Sequence, residues 1–510
     1  MSMALEAVNQ TSTCGLIPDV DVSDMAMSFT EKAMSLAGNL YDIGKEAICA
    51  HPWIALTTVM AIGVGSYFLF RSSEVPLPSA QAFIHQIVSL PSAKQSDRFI
   101  KPLVLEFVDK AFISTQLKNQ LGPEGANPKL KQFLADKIKK IVDGEASPQS
   151  KVEMVNRVIQ NFGHEISTAR ARLGSDISAG RLEYLGIARG DKIATIHPLG
   201  DETHYGGKGP LKIIFESGKT IVYKPRSMMP EKLLCDEREG LLRHEGFGTY
   251  KVVCREDSSG DAYGYSEFVQ NIPDRNRVNT KEELGEYVRK MCVLDALSKE
   301  LGLSDLHYKN IITSDLNPCI IDAEVFMNPP HIKSGVLDAS TGSLYHFDIM
   351  QGQVKGFKGE NKIWIDPKIT EKSEHDFTYG MSEEALASIG IDVAEIRDNV
   401  TLSTNTRQAL PEVREALGGE PGRFVLKETP HLSTMQYNLD HRDEKSIRIF
   451  VESVRDWVND ERGFQFQEES VPGIIEGVKR DALNHDVPAF HYDSQRNVIL
   501  YHGTVIGVPE

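Results

Sequence analysis

The hydrophobic spacing changes period twice along these 510 residues, and that double switch limits the folds open to the chain. From about residue 80 to 187, apolar residues recur at helical intervals. Phe83, Ile84, Ile87 and Val88 form one stripe, and Leu130, Phe133, Leu134, Ile138 and Ile141 form another. Residues three and four apart share a helix face, so both stripes predict core-facing helices. Near residue 191 the period drops to two. "DKIATIHPL", "LKIIFESGKTIVYKP" and "AYGYSEFVQ" are β-branched and aromatic runs divided by glycine turns, the pattern of an antiparallel sheet. Ser217-Gly218 marks a hairpin within it. From residue 281 helical spacing returns, with Tyr287, Met291, Leu294, Leu297 and Leu301 on one face. The expected fold class is α+β: a helical scaffold over 76–190, a small antiparallel β lobe over 191–280, and a larger, mostly helical lobe over 281–510.

A segment ahead of the scaffold has a different character. "PWIALTTVMAIGVGSYFLF", residues 52 to 70, carries no charge and is followed by Arg71. It is long enough to cross the hydrocarbon core as one helix, with aromatic residues near its ends where interfacial belts form. Arg71, Lys94, Arg98 and Lys101 follow it, a bias that favours a cytosolic C-terminal body. The expectation is a single-pass membrane protein, with a transmembrane helix over 52–71 after an N-terminal segment over 1–51. The net charge of −16 argues against nucleic acid as partner, since phosphate backbones call for a basic face. Six cysteines stand without C-x-x-C spacing, which predicts reduced thiols and no structural zinc.

A small β lobe followed by a helical lobe is the layout of kinase-like enzymes. Phosphoryl transfer needs cations at the phosphates, a metal ion and an aligned nucleophile. Lys224 ends the strand-like run "TIVYK" and can hold nucleotide phosphates as a point charge. "YSEFV", residues 265 to 269, can pass between lobes and offer backbone groups to an adenine ring. "SDLHYKNIITSDLNPCIIDAE", residues 304 to 324, concentrates the remaining chemistry. Asp305 can orient or deprotonate a hydroxyl, with His307 beside it. Asn310 and Asp322, joined by a hairpin, offer hard oxygens suited to Mg²⁺ bound with ATP. "GDETHYGGKG", residues 200 to 209, sets Gly206 and Gly207 where backbone can approach phosphate. Asp201, Glu202 and His204 in the same loop point to proton transfer.

These stretches carry a family resemblance. "IATIHPLGDETHYGGKGPLKIIFESGKTIVYKPRS" resembles the dehydratase domain of class II lanthipeptide synthetases. "LSDLHYKNIITSDLNPCIIDAE" resembles that domain's T-D-x-H-x-x-N and I-D-x-E motifs. "RFVLKET" resembles its R-x-x-x-R-x-T segment, and "HDVPAF" its D-I-P-x-F stretch. The matches follow in family order. The resemblance implies a lipid-kinase-like, two-lobed core that uses ATP and Mg²⁺ to phosphorylate serine or threonine in a peptide or protein substrate. The phosphate is then eliminated to leave a dehydroamino acid. Carried over, Lys224 binds phosphate. Asp305, His307, Asn310 and Asp322 serve phosphorylation and metal binding, with Glu324 beside them. Arg423 and Thr429 serve elimination, together with His204 and an acid of the glycine-rich loop, Asp201 or Glu202.

Two departures touch the elimination half. Asp201 stands three residues before His204 where the family has two, and Lys427 replaces an arginine, losing the planar fork that grips phosphate. The chain also ends where a full synthetase would begin its cyclase domain, so neither zinc nor ring closure is expected. Two alternatives stay open: a protein or lipid kinase without elimination, and a non-catalytic nucleotide-binding membrane module.

Overall fold

The computed structural model describes residues 75–91, 96–122, 127–144, 146–200, 202–270, 275–304, 306, 310–327, 364–365, 383–424 and 444–509. The chain divides into two units, residues 1–76 with 114–116, and residues 77–113 with 117–510. In the first, the Val75 N–H donates to Thr115 Oγ1 at 2.9 Å. The second holds both large sheets and every candidate site residue placed below. The segment over 52–70 lies outside the described residues. Among the described residues, no helix is long and apolar enough to cross a membrane.

The architecture is α+β with antiparallel sheets. Its helical part contains α1 (Ala80–Val88), α2 (Asp97–Ile113), α3 (Thr115–Leu121), α4 (Pro128–Asp143) and the 31-residue α5 (Pro148–Ser178). Starts are marked chemically. Ser79, Asn127 and Ser147 each accept a hydrogen bond from a first-turn amide, and Pro128 and Pro148 open their helices, where a missing N–H costs nothing. The helical stripes face inward for Phe83, Ile84, Ile87, Leu130, Leu134, Ile138 and Ile141, but Val88, at the end of α1, is 49% exposed and Phe133 is only partly buried.

The first sheet comprises β1 (Ile193–Pro198), β2 (Leu211–Phe215), β3 (Thr220–Lys224), β4 (Val252–Glu256) and β5 (Ala262–Glu267), in the order β1-β2-β3-β5-β4. Pro198 pairs with Leu211, Leu211 with Tyr223, and Lys224 with Gly264. Hence the glycine-rich β1–β2 connection and Lys224 leave the sheet at the same end. Tyr265 to Glu267 pair with β3, and Ser266 also pairs with β4. Of the backbone expected to meet an adenine, Tyr265 and Ser266 are paired on both sides and Glu267 with β3, while Phe268 and Val269 lie beyond the strand.

One core runs through the scaffold helices and this sheet, so the boundary drawn at residue 190 does not separate two cores. Polar ties reinforce the junction. Asp176 on α5 is fully buried and accepts from the Tyr263 and Tyr265 hydroxyls, both at 2.9 Å, and from Arg181 and Arg255. Arg172, one turn earlier, donates to the Tyr223 hydroxyl at 2.8 Å and to Asp257. Asp176→Asn keeps the volume but loses charge-assisted acceptance, and should lower stability by about 2 kcal/mol. A urea-denaturation midpoint unchanged from wild type would refute that role.

α6 (Met229–Cys235) lies between β3 and β4 in the chain, and after β5 come the short β6 (Arg277–Val278) and α7 (Lys281–Leu301). Thr280 caps α7 by accepting from the Glu283 N–H, while Glu283 accepts from the Asn279 N–H, and Gly302 closes it at φ +60°. A hairpin follows, β7 (Ile311–Ser314) and β8 (Asn317–Ile320), turning through Asp315 and Leu316, both at positive φ. Beyond it lie β9 (Trp364–Ile365), α8 (Glu383–Ser388), α9 (Val393–Asp398) and α10 (Thr404–Gly418).

The remaining described chain keeps the helices expected there and adds strands that the helical reading did not include. It holds a second five-stranded antiparallel sheet, ordered β10-β12-β13-β14-β11: β10 (Gly422–Phe424), β11 (Phe464–Phe466), β12 (Phe490–Asp493), β13 (Val498–Tyr501) and β14 (Thr504–Pro509). α11 (Glu444–Asp456) and α12 (Val471–Asn484) accompany it. These strands are too short to carry a long period-two signal, and β10 finds its partner β12 only some 66 residues later.

Candidate functional site

At the end of β3, five charged side chains converge. Lys224 Nζ donates to Glu231 Oε1 (3.0 Å), Asp322 Oδ1 (3.0 Å) and the Ile321 carbonyl (2.7 Å). Arg226 donates to Glu231 Oε1 (2.5 Å), pairs with Glu324 Oε2 (2.9 Å), and bonds Asp322 Oδ1 as well. Two cations thus face three carboxylates in a half-closed space. Lys224 is 8% exposed and Glu231 fully buried.

The local fold explains the meeting. Strand β3 ends at Lys224, and the Pro225 turn aims Arg226 the same way. α6 begins at Met229 and carries Pro230 and Glu231 in its first turn. Opposite, the β7–β8 hairpin closes with the Ile321 N–H donating to the Asn310 carbonyl at 2.9 Å. That bond pairs Asn310 with Ile321 at the hairpin's open end, and Asp322 follows Ile321 directly in the chain. The Ser304 N–H donates to the Val325 carbonyl, so the chain enters the motif loop alongside Glu324.

The electrostatics are tightly balanced. Burial works against the Arg226 charge, but Glu231, Asp322 and Glu324 outweigh it and hold its pKa well above the ordinary value. Burial likewise disfavours the Glu231 carboxylate, yet Arg226 and Lys224 overcome that and lower its pKa. A buried carboxylate this committed is tolerated only because both cations are bonded to it. Among the described residues, no three His, Cys, Asp or Glu side chains converge as a metal set. The Asn310 amide and the Asp322 carboxylate are hard oxygen donors of the kind Mg²⁺ takes, and Asp322 Oδ1 already accepts from Lys224 and Arg226.

A second constellation is built on the glycine-rich loop between β1 and β2. The His204 and Lys208 backbones exchange two hydrogen bonds, and Tyr205, Gly206 and Gly207 all turn through positive φ. A Cβ on Gly207 would come within 3.0 Å of the Asn161 Cβ on α5, so the loop needs glycine there. The anion held by the Gly206 and Gly207 amides is the carboxylate of Asp486: Gly206 N–H donates to Oδ2 at 2.6 Å and Gly207 N–H to Oδ1 at 3.1 Å. Thr203 Oγ1 donates to the same carboxylate at 2.7 Å and accepts from Lys137. Burial pushes the Asp486 pKa up, against these donors. His204 Nδ1 lies 2.7 Å from the Val487 carbonyl. A carbonyl only accepts, so Nδ1 carries the proton and Nε2 is the basic nitrogen.

The structure places Lys224 and Asp322 in one constellation, with Asn310 next to it in the chain path only through its backbone bond to Ile321, and His204, Gly206 and Gly207 in the other. Arg423 lies on β10 directly opposite His491 of β12, and the His491 ring is 5.3 Å from Tyr205 in the glycine-rich loop. Asp201, Asp305, His307, Lys427 and Thr429 lie outside the described residues. Sequence reasoning passed over Arg226, Glu231, Asp486 and His491. Arg226 had a signal, standing two residues past Lys224 and therefore on its side of an extended chain. Asp486 sits in the recognised "HDVPAF" stretch. Glu231, on a short helix, had none.

Residues 149–348 match the model of a domain of unknown function, DUF4135. The chain is 28% identical over 195 residues to the lacticin 481/lactococcin biosynthesis protein LcnDR2 of Lactococcus lactis subsp. lactis. That match covers 37% of this chain and 19% of the Lactococcus protein. The chain thus spans about a fifth of the length of the curated relative it matches. The matched family region contains α5, the glycine-rich loop, Lys224, Glu231 and the Asn310–Asp322 hairpin.

Proposed function

We propose that the chain is a kinase-like enzyme of lanthipeptide type: it transfers phosphate from Mg-ATP to serine or threonine of a precursor polypeptide, then eliminates that phosphate to leave a dehydroamino acid. The observation that carries this reading is the Lys224–Glu231–Asp322 constellation at the end of the first sheet. In kinases, a strand lysine held by a helix glutamate grips the nucleotide phosphates while an aspartate holds the metal. Here Glu231 would keep Lys224 and Arg226 poised, and the arginine fork would suit two phosphate oxygens. Asp322 and Asn310 would hold Mg²⁺, which when bound neutralises charge developing on the transferred phosphoryl group. Asp305 would take the substrate hydroxyl's proton, with His307 beside it. For elimination, His204 Nε2 would exchange the proton at Cα or at the leaving oxygen, and Arg423 and Thr429 would receive the departing phosphate. The fold reading is a lipid-kinase-like pair of lobes, with the first sheet in the smaller lobe.

A kinase that stops after phosphorylation is the second reading. It is favoured by Asp486, which fills the loop amides that would otherwise be open to a phosphate. Product mass separates the two after incubation of the full chain with Mg-ATP and serine- and threonine-containing peptides. Loss of water supports the first reading, retained phosphate the second, and unmodified peptide with every candidate contradicts both. Arg423→Ala should let phosphopeptide accumulate while phosphorylation continues. Dehydration at the wild-type rate in that variant would remove Arg423 from elimination.

Anchoring through residues 52–70, with the catalytic body in the cytosol, is likewise proposed. It rests on the uncharged run and the arginine and lysine residues after it. Alkaline carbonate should leave the full-length protein in the membrane fraction; complete release would contradict the anchor.

A further inference from the structure

One face of α5 carries two buried polar atoms without a hydrogen-bond partner among the described residues, Asn161 Nδ2 and Glu165 Oε1. They stand one helical turn apart, and Glu165 is only 6% exposed. Both residues lie beneath the glycine-rich loop. Asn161 is the residue on which Gly207 closes, and Glu165 lines a cavity of about 20 Å³ with Gly200, Glu202, Thr203 and Gly207. That volume accommodates one water molecule, and of the two unpartnered atoms only Glu165 Oε1 belongs to a residue of its wall, which Phe133, Phe162 and Leu199 otherwise make largely apolar. A carboxyl is a poor choice for filling a core, because its ionised form is costly there. Two cations act on it, Lys208 on the loop and Arg172 on α5 itself, and the neutral Tyr223 hydroxyl of β3 stands near it as well. Glu202 shares the cavity wall.

We propose that Glu165, through a water in this cavity, is a positioning residue for the glycine-rich loop, its charge state setting how closely Lys208 and the loop backbone are drawn onto α5 and so where His204 stands. Protonated, the carboxyl donates to the water and leaves Lys208 unattracted. Ionised, it accepts from the water and pulls on the Lys208 ammonium. Burial raises its pKa to about 7, with Lys208 and Arg172 acting in the opposite sense, so the change falls near neutrality. The inference concerns the loop alone and does not depend on phosphoryl transfer.

Hydrogen exchange of residues 200–209 in the full chain, followed by mass spectrometry and corrected for intrinsic rates, tests it between about pH 5 and about pH 9. Wild type should show a step in protection with a midpoint near about 7. Glu165→Gln should abolish the step. Lys208→Met should keep it but move the midpoint to higher pH, since the lost ammonium favours the ionised form. A flat wild-type profile, or a step that survives in Glu165→Gln, would overturn the proposal. So would a Lys208→Met midpoint that is unmoved or lower, and that variant decides the matter even if Glu165→Gln does not fold.

Discussion

Glu231→Leu should lower the folding stability by about 3–5 kcal/mol at neutral pH, the usual cost of removing one member of a buried ion cluster. The leucine fills the space, so packing is not the main loss. What is lost is the carboxylate to which Lys224 and Arg226 are both bonded at 3.0 Å or less. Asp322 and Glu324 remain, but on the far side of the two cations. The pH dependence has a definite sign. The folded pKa of Glu231 lies below its ordinary value, so its contribution is present above the unfolded pKa and disappears as pH falls through the folded one. The gap between wild type and Glu231→Leu, measured by chemical denaturation, should therefore be full at pH 7 and narrow in acid. A loss below about 1 kcal/mol would show that the cations are held without Glu231. Under the proposed function, the same variant should also lose most phosphoryl transfer, because Lys224 is no longer held in place.

Glu165→Gln should do the reverse and stabilise the protein at alkaline pH. The folded carboxyl titrates at about 7 rather than 4.5. Raised carboxyl pKa values stabilise the fold below the unfolded pKa, and that stabilisation is lost as pH rises through the folded one. A shift of this size corresponds to about 3 kcal/mol. Wild type should thus lose up to about 3 kcal/mol relative to Glu165→Gln between about pH 4.5 and about pH 7, with no further change above. Parallel denaturation curves for the two proteins across that range would contradict a buried, unpartnered Glu165.

Much of the first constellation was legible because its members are tied to simple elements. Lys224 ends a strand that alternates cleanly, and Asn310 and Asp322 flank a hairpin whose polar turn shows in "SDLN". Glu231 was not legible: a glutamate in a short helix is ordinarily solvated, and only its bonds to Lys224 and Arg226 make it the counter-charge. Asp486 was named within a motif, but its role depends on amides some 280 residues away. Long-range pairings of this kind leave no local periodicity. The same holds for Asp176, whose tyrosine partners lie some 87 and 89 residues downstream and carry the core across the boundary drawn at residue 190. The second sheet escaped for a related reason, since strands of three to six residues gain their identity from partners rather than from pattern.

Calorimetric titration of the full chain with ATP, with and without magnesium, bears most directly on the Lys224–Asp322 constellation. Magnesium-dependent binding is expected in the wild type, weakened at least about tenfold in both Lys224→Met and Asp322→Asn, as loss of a charged phosphate or metal partner entails. ATP binding that ignores magnesium, or that persists at wild-type strength in both variants, would contradict a nucleotide site at the end of the first sheet.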